Sequence, residues 1–258
     1  MTDALARQFS RARRSAINET LNLSQTHLVD QAPGFFAQGL PVSQHWRLFF
    51  DFRKTTAYLD LETTGMTFGN CPITTIAVYD GSTVKTYVQG RNMEDFMTDI
   101  DRYKVLVTYN GKCFDLPFLE RYFGTTFDQA HIDLRFVLAS LGIKGGLKRC
   151  EVQMGIDRGP LHDVDGLFAV LLWKAYVRTG NPKALETLLA YNVADTINLE
   201  YLMVRAYHLK LKQTPFYERY ALPLPPLSGC KNPYQVDVDL VDSLRPEHAF
   251  LKSLEPRY

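Results

Sequence analysis

Between residues 48 and 210 the chain switches repeatedly between two hydrophobic periods, and this alternation restricts the fold more than any other feature. Short runs rich in β-branched and aromatic residues at 58–62, 73–79, 84–88, 105–109 and 132–134 read as strands. Helical patterns follow the later runs, and the two longest, 166–178 and 182–209, close the window. The turn at Asp80–Gly81 joins its flanking strands as an antiparallel hairpin. At Asn110–Gly111 the chain turns from strand into helix, with Pro117 in the first turn, where a missing N–H costs little. The pattern predicts an α/β domain that begins with an antiparallel hairpin.

The flanks differ from this window. Ala4, Leu5, Phe9, Ala12 and Ile17 recur at helical spacing with Arg7, Arg11, Arg13 and Arg14 between them. That is an amphipathic arm, with a solvated basic face or one that touches phosphates. Pro33, Gly34, Gly39 and Pro41 make residues 30–45 read as an irregular linker. Seven of the 13 prolines lie in the last 48 residues. Such density argues against long helices or central strands there, so the tail is expected to wrap the domain or hang loose. The expected organisation is an arm and linker over 1–47, a domain over 48–210 and a Pro-rich extension over 211–258.

Charge and motifs narrow the function. With 29 Lys and Arg against 28 Asp and Glu, the formal charge is +1, which excludes a binder acting through net charge but leaves room for a local basic groove. No apolar run approaches the roughly 20 residues that span a bilayer, and the N-terminus has no apolar signal core, so the expectation is a cytoplasmic protein with no membrane association. Cys71, Cys113, Cys150 and Cys230 are dispersed, without C-x-x-C, and read as buried free thiols. The phosphate-binding loop, dinucleotide fingerprint, nucleophile elbow and H-E-x-x-H motifs are absent.

Three carboxylate motifs carry the chemistry. In AYLDLETTG, Asp60 and Glu62 project from one face of a strand, roughly 7 Å apart along the chain, with Leu59 and Leu61 on the other face. Buried together they repel, unless a cation such as Mg²⁺ or Mn²⁺ lies between them; an exposed edge strand is the alternative. Asp115 stands at the start of the helix after Asn110–Gly111, where an N-cap is the commonplace role. Tyr191 and Asp195 are i and i+4, in line with Leu188, Leu199 and Leu202, so a phenol and a carboxylate share an apolar stripe. Either metal or a Tyr–Asp hydrogen bond would satisfy them.

In combination, D-x-E in a strand, N-x-x-x-x-D at a strand-to-helix turn and Y-x-x-x-D in a late helix resemble the DEDD exonucleases of the ribonuclease-H-like superfamily, tyrosine type. HIDLRFVLASLG, GLKRCEVQMGIDR, DGLFAVLLWKAY and LLAYNVADTINLEYL look like the YprB-type predicted exonucleases, over roughly residues 55–205. The resemblance implies a mixed five-stranded ribonuclease-H-like sheet flanked by helices, and a metal-dependent nuclease, most typically a 3′–5′ exonuclease. Asp60, Glu62, Asp115 and Asp195 would then bind two Mg²⁺ or Mn²⁺ ions, with Asp60 bridging, Glu62 and Asp195 completing one ion, and Asp115 holding the other through water. Tyr191, with Glu62, would orient the attacking water. The implied partner is a nucleic acid, DNA or RNA, typically a single-stranded 3′ end.

Weaker candidates surround this set. Asn110 and Lys148 are assigned to substrate; Lys144, Arg149 and Arg158 join Lys148 as a basic cluster that either faces solvent or meets phosphates. His131 reads as a strand-end histidine, and Asp133 and Asp165 as helix caps. Competing functions are a nucleic-acid-binding scaffold with little catalysis, a structure-selective endonuclease on the same metal site, and a carboxylate-pair glycosidase, which leaves Asp115, Tyr191 and Asp195 unexplained. The Pro-rich extension could take a protein partner.

Overall fold

A computed structural model describes residues 9–65, 71–226 and 231–254. Ala4, Leu5 and Arg7 of the expected arm, Cys230 and Pro256 lie outside these residues.

The sheet is built from β1 (Thr56–Thr63), β2 (Ile73–Tyr79), β3 (Val84–Val88), β4 (Val105–Thr108) and β5 (Ala130–Asp133). Their spatial order is β3-β2-β1-β4-β5. The first three strands are antiparallel neighbours, while β4 joins β1 and β5 joins β4 in parallel. This is the expected mixed five-stranded sheet with an antiparallel first hairpin. Asp80 builds that hairpin turn by accepting from the backbone N–H of Ser82 and Thr83 at 2.9 and 2.8 Å.

The two faces of β1 go to different cores, as period-2 alternation requires. Ala57, Leu59 and Leu61 pack with Phe96 and Ile100 of α3 (Asp95–Ile100) and with Phe118 and Leu119 of α4 (Asp115–Phe123). Tyr58, Asp60 and Glu62 take the opposite face, which packs against the long helix described below. Two short helices, α5 (Leu134–Ala139) and α6 (Leu147–Gln153), precede the closing pair. These are α7 (Gly166–Thr179), capped by Asp165, and the 30-residue α8 (Pro182–Leu211), capped by Asn181 with Pro182 at the first position. Leu188, Leu199 and Leu202 of α8 are fully buried, as the stripe predicts.

Both flanks depart from expectation. The helix of the arm, α1 (Arg11–Val29), runs further than the N-terminal pattern predicts, and it buries no residue. Residues 30–45 are not an irregular linker: Pro33 opens α2 (Pro33–Gly39), and a 3₁₀ segment, Val42–Leu48, follows. Pro33 fits at a helix start because the missing N–H would have had no partner there. His45 anchors the segment, with Nδ1 2.8 Å from the His131 carbonyl, and Trp46, Leu48 and Phe49 enter the core. In the Pro-rich tail, α9 (Val238–Ser253) forms with Pro246 inside it. Clustering misled here because five of the tail's six described prolines lie outside this helix, whose buried Val241 packs into a core shared with α7. Of the described cysteines only Cys150 is buried; Cys71 is intermediate and Cys113 exposed.

Candidate metal centre

β1 is central in the sheet, so Asp60 and Glu62 are not edge-strand residues. They pair across to Ala77 and Thr75 of β2, and the register shifts immediately after Glu62. α8 crosses this face and brings Asp195 to them. One carboxylate oxygen from each of Asp60, Glu62 and Asp195 lies within 4.8 Å of the others. Asp115 stands outside that trio but lines the same cleft, a cavity of about 1220 Å³ whose walls also include Asn110, Tyr191, Lys148 and Asp165.

The expected N-cap role of Asp115 is not observed: Phe114 holds that position, and Asp115 is the first residue of α4, 3% exposed. The turn that aims it is unusual. Asn110 has φ +67°, and its N–H and that of Lys112 both donate to Asp133, at 2.8 and 3.0 Å. Asp133 also caps α5 through the N–H of Arg135. His131 sits in β5 with Nε2 2.8 Å from Thr108 Oγ1, away from the cleft, and burial lowers its pKa to about 4.

Electrostatically the cluster is short of positive charge. Burial, followed by repulsion from Asp115, Glu62 and Asp195, pushes the Asp60 carboxyl well above the usual carboxylate range. Burial and then Asp195 do the same to Glu62. Asp115 is raised to about 7, chiefly by burial. Carboxyls that resist ionisation because they are crowded together become ordinary ligands once a cation neutralises them. The donor set is entirely oxygen, which suits a hard divalent ion such as Mg²⁺ or Mn²⁺, so these residues fit the metal that the chemistry implies.

Cations approach from the segment after α5. Lys148 Nζ lies 4.8 Å over the Tyr191 ring, buried and with no hydrogen-bond partner. Arg158 is not part of a solvated basic face: its side chain is 3% exposed, donates to Glu151 on one side and meets Asp195 Oδ1 at 2.5 Å on the other. The partner of Asp195 is thus Arg158, where a Tyr–Asp hydrogen bond was the alternative to metal. Burial, then Asp195, Glu62 and Asp60, hold the Tyr191 phenol well above its ordinary pKa.

Sequence reasoning missed two of these residues, Asn192 and Glu151, and gave Arg158 to a basic cluster rather than to Asp195. Asn192 is fully buried, donates to Asp60 Oδ2 at 2.7 Å and accepts from Thr75 Oγ1 at 3.1 Å. Its place three residues before Asp195 was the available signal. The Glu151–Arg158 pairing had none, since it depends on how α6 and the following loop pack. Asp165 caps α7 as expected, but it also accepts from His248 Nε2 and Lys252 Nζ of α9, at 2.8 and 2.7 Å.

The family model of the RNase H superfamily matches residues 57–207, which include both β1 carboxylates, Asp115, Tyr191 and Asp195. The chain belongs to the RNase H superfamily. Its five-stranded mixed sheet flanked by helices is the RNase H-like fold. Among solved structures, the family B DNA polymerase from the hyperthermophilic archaeon Pyrobaculum calidifontis is similar at 18% identity and a TM-score of 0.42. That match covers 68% of this chain and 27% of the polymerase. No curated protein matches. Among the described residues of this RNase H superfamily member, no helix is long and apolar enough to cross a membrane.

Proposed function

We propose that the protein is a metal-dependent nuclease that hydrolyses phosphodiester bonds of a nucleic-acid strand, acting as a 3′–5′ exonuclease of the tyrosine-type DEDD kind with two divalent ions. The observation that carries this reading is the convergence of Asp60, Glu62 and Asp195 oxygens within 4.8 Å at the floor of an open cleft. Asp60, Glu62, Asp115 and Asp195 would hold the ions. When bound, Mg²⁺ or Mn²⁺ supplies acidity to the attacking water and charge stabilisation to the phosphate and the leaving oxygen.

The remaining roles belong to the chain's own groups. Tyr191 stays a neutral phenol, so it can donate a hydrogen bond and orient water without being a base. Lys148 places an unpartnered ammonium beside Tyr191, a natural seat for the oxygen of a scissile phosphate. Exposed Arg135, Lys144 and Lys174 line the cleft and supply the contacts that hold a phosphate backbone irrespective of sequence. Asn110, which accepts from Arg135, belongs to the same wall.

The test is a cleavage time course on 5′-labelled single- and double-stranded DNA and RNA in Mn²⁺, Mg²⁺ and EDTA, with Asp60→Asn alongside. A metal-dependent ladder shortening from the 3′ end is expected. Internal cuts would make it an endonuclease; binding without cleavage in any condition would make it a scaffold.

A further inference from the structure

Beyond the candidate ligands, the cleft wall contains a buried chain of polar contacts that runs Asn198, Glu151, Arg158, Asp195. Asn198 Nδ2 donates to Glu151 Oε1 at 2.8 Å. Glu151 is fully buried, and its other oxygen accepts from Arg158. Arg158 spends its second guanidinium arm on Asp195 Oδ1 at 2.5 Å. Asn198 and Asp195 are three residues apart on α8, so the chain leaves and re-enters one helix face.

We propose that Arg158, held by Glu151, is the positioning residue of Asp195: it fixes Oδ1 and leaves Oδ2 to face the cation. This inference rests on the metal-centre reading above. The alternative is that Arg158 is a plug that occupies the cation's place and must leave when metal enters. Burial argues against a plug, because a departing guanidinium would strand Glu151 as an uncompensated charge in a fully buried position. Charge argues the same way. Asp60, Glu62, Asp115, Asp195 and Glu151 carry five negative charges when ionised, which two divalent ions and one retained Arg158 neutralise, leaving Lys148 for the substrate phosphate. The planar fork of arginine bridges two carboxylates in fixed directions, which the point charge of lysine does not.

The test is Mn²⁺ binding to the full chain without substrate, by calorimetry and by the Mn²⁺ electron paramagnetic resonance signal, with melting in EDTA as the check of folding. Arg158→Met and Arg158→Lys are each expected to weaken Mn²⁺ binding, the former by roughly 10–100-fold, as loss of a ligand's outer partner does. Glu151→Gln should weaken it too, since an unclaimed Arg158 then grips both oxygens of Asp195. Glu151→Gln/Arg158→Met removes both charges together, so it keeps the test open should Arg158→Met fail to fold; where both fold, it should bind no more weakly than Arg158→Met. Tighter binding in Arg158→Met would identify a plug, and unchanged binding a mere loop anchor; either overturns the proposal. A wild type that never binds Mn²⁺ would instead overturn the metal-centre reading and this inference with it.

Discussion

Asn192 Nδ2 donates to Asp60 Oδ2 at 2.7 Å, so the central carboxylate of the cluster is oriented by a neutral amide from α8. The same amide accepts from Thr75 of the neighbouring strand, which ties β2, β1 and α8 together at the cleft floor. Asn192→Leu is expected to lower Mn²⁺ affinity by roughly 10-fold or more, as outer partners of metal ligands do. It should also cost about 1–3 kcal/mol, because Asp60 and Thr75 lose a buried partner. Calorimetric titration and urea denaturation read the two effects separately.

Asp60→Asn should remove cleavage by more than roughly 100-fold, beyond the usual effect of an outer partner, while the protein stays folded. Without metal it should melt no lower than wild type, because one of the crowded charges is gone. A sharply lowered melting temperature in EDTA would mean that this carboxylate is structural.

In EDTA, stability should rise as pH falls from 8.5 to 6.5. Asp60, Glu62 and Asp115 are all raised in the folded state, Asp115 to about 7. A carboxyl with a raised folded pKa takes up protons that the unfolded chain, ionised down to pH ~4, does not. Its stabilising contribution is therefore complete below the unfolded pKa and lost as pH climbs through the folded one. Below about pH 6.5 His131, lowered to about 4, works in the opposite sense. Saturating Mn²⁺ should flatten or reverse the 8.5–6.5 trend, and melting curves across that window with and without metal decide it.

Lys148→Met should weaken binding of a single-stranded substrate and reduce the slope of log affinity against log salt by about 0.7, the signature of one lost phosphate contact. Folding should be little affected, since Lys148 Nζ makes no hydrogen bond. Affinity measured at several salt concentrations, with the inactive Asp60→Asn protein as background, gives the slope.

At Gly111 a side chain has no room: a Cβ would stand 2.2 Å from Thr108 Oγ1, whose residue is fully buried. Gly111→Ala should destabilise by about 1–3 kcal/mol through overpacking and displace the turn that delivers Asp115. Urea denaturation measures the first effect and cleavage rate the second.

Much of this was legible in the sequence because it is local. Strand limits at 73–79 and 84–88 coincide with β2 and β3, since alternation and the Asp80–Gly81 turn are short-range signals. That Asp60 and Glu62 share a face, and Tyr191 and Asp195 another, follows from helix and strand periods alone. The tertiary structure decided what those faces meet. It placed β1 at the sheet centre, turned Asp115 from a cap into a buried carboxyl, and gave Asp195 to Arg158 from a loop 37 residues upstream. It also folded the Pro-marked flanks into helices, because packing of α2 onto the 3₁₀ segment and of α9 onto α7 outweighs what proline signals locally. Periodicity fixes the direction of a side chain relative to its own backbone; its neighbours depend on contacts between distant segments, which no local pattern encodes.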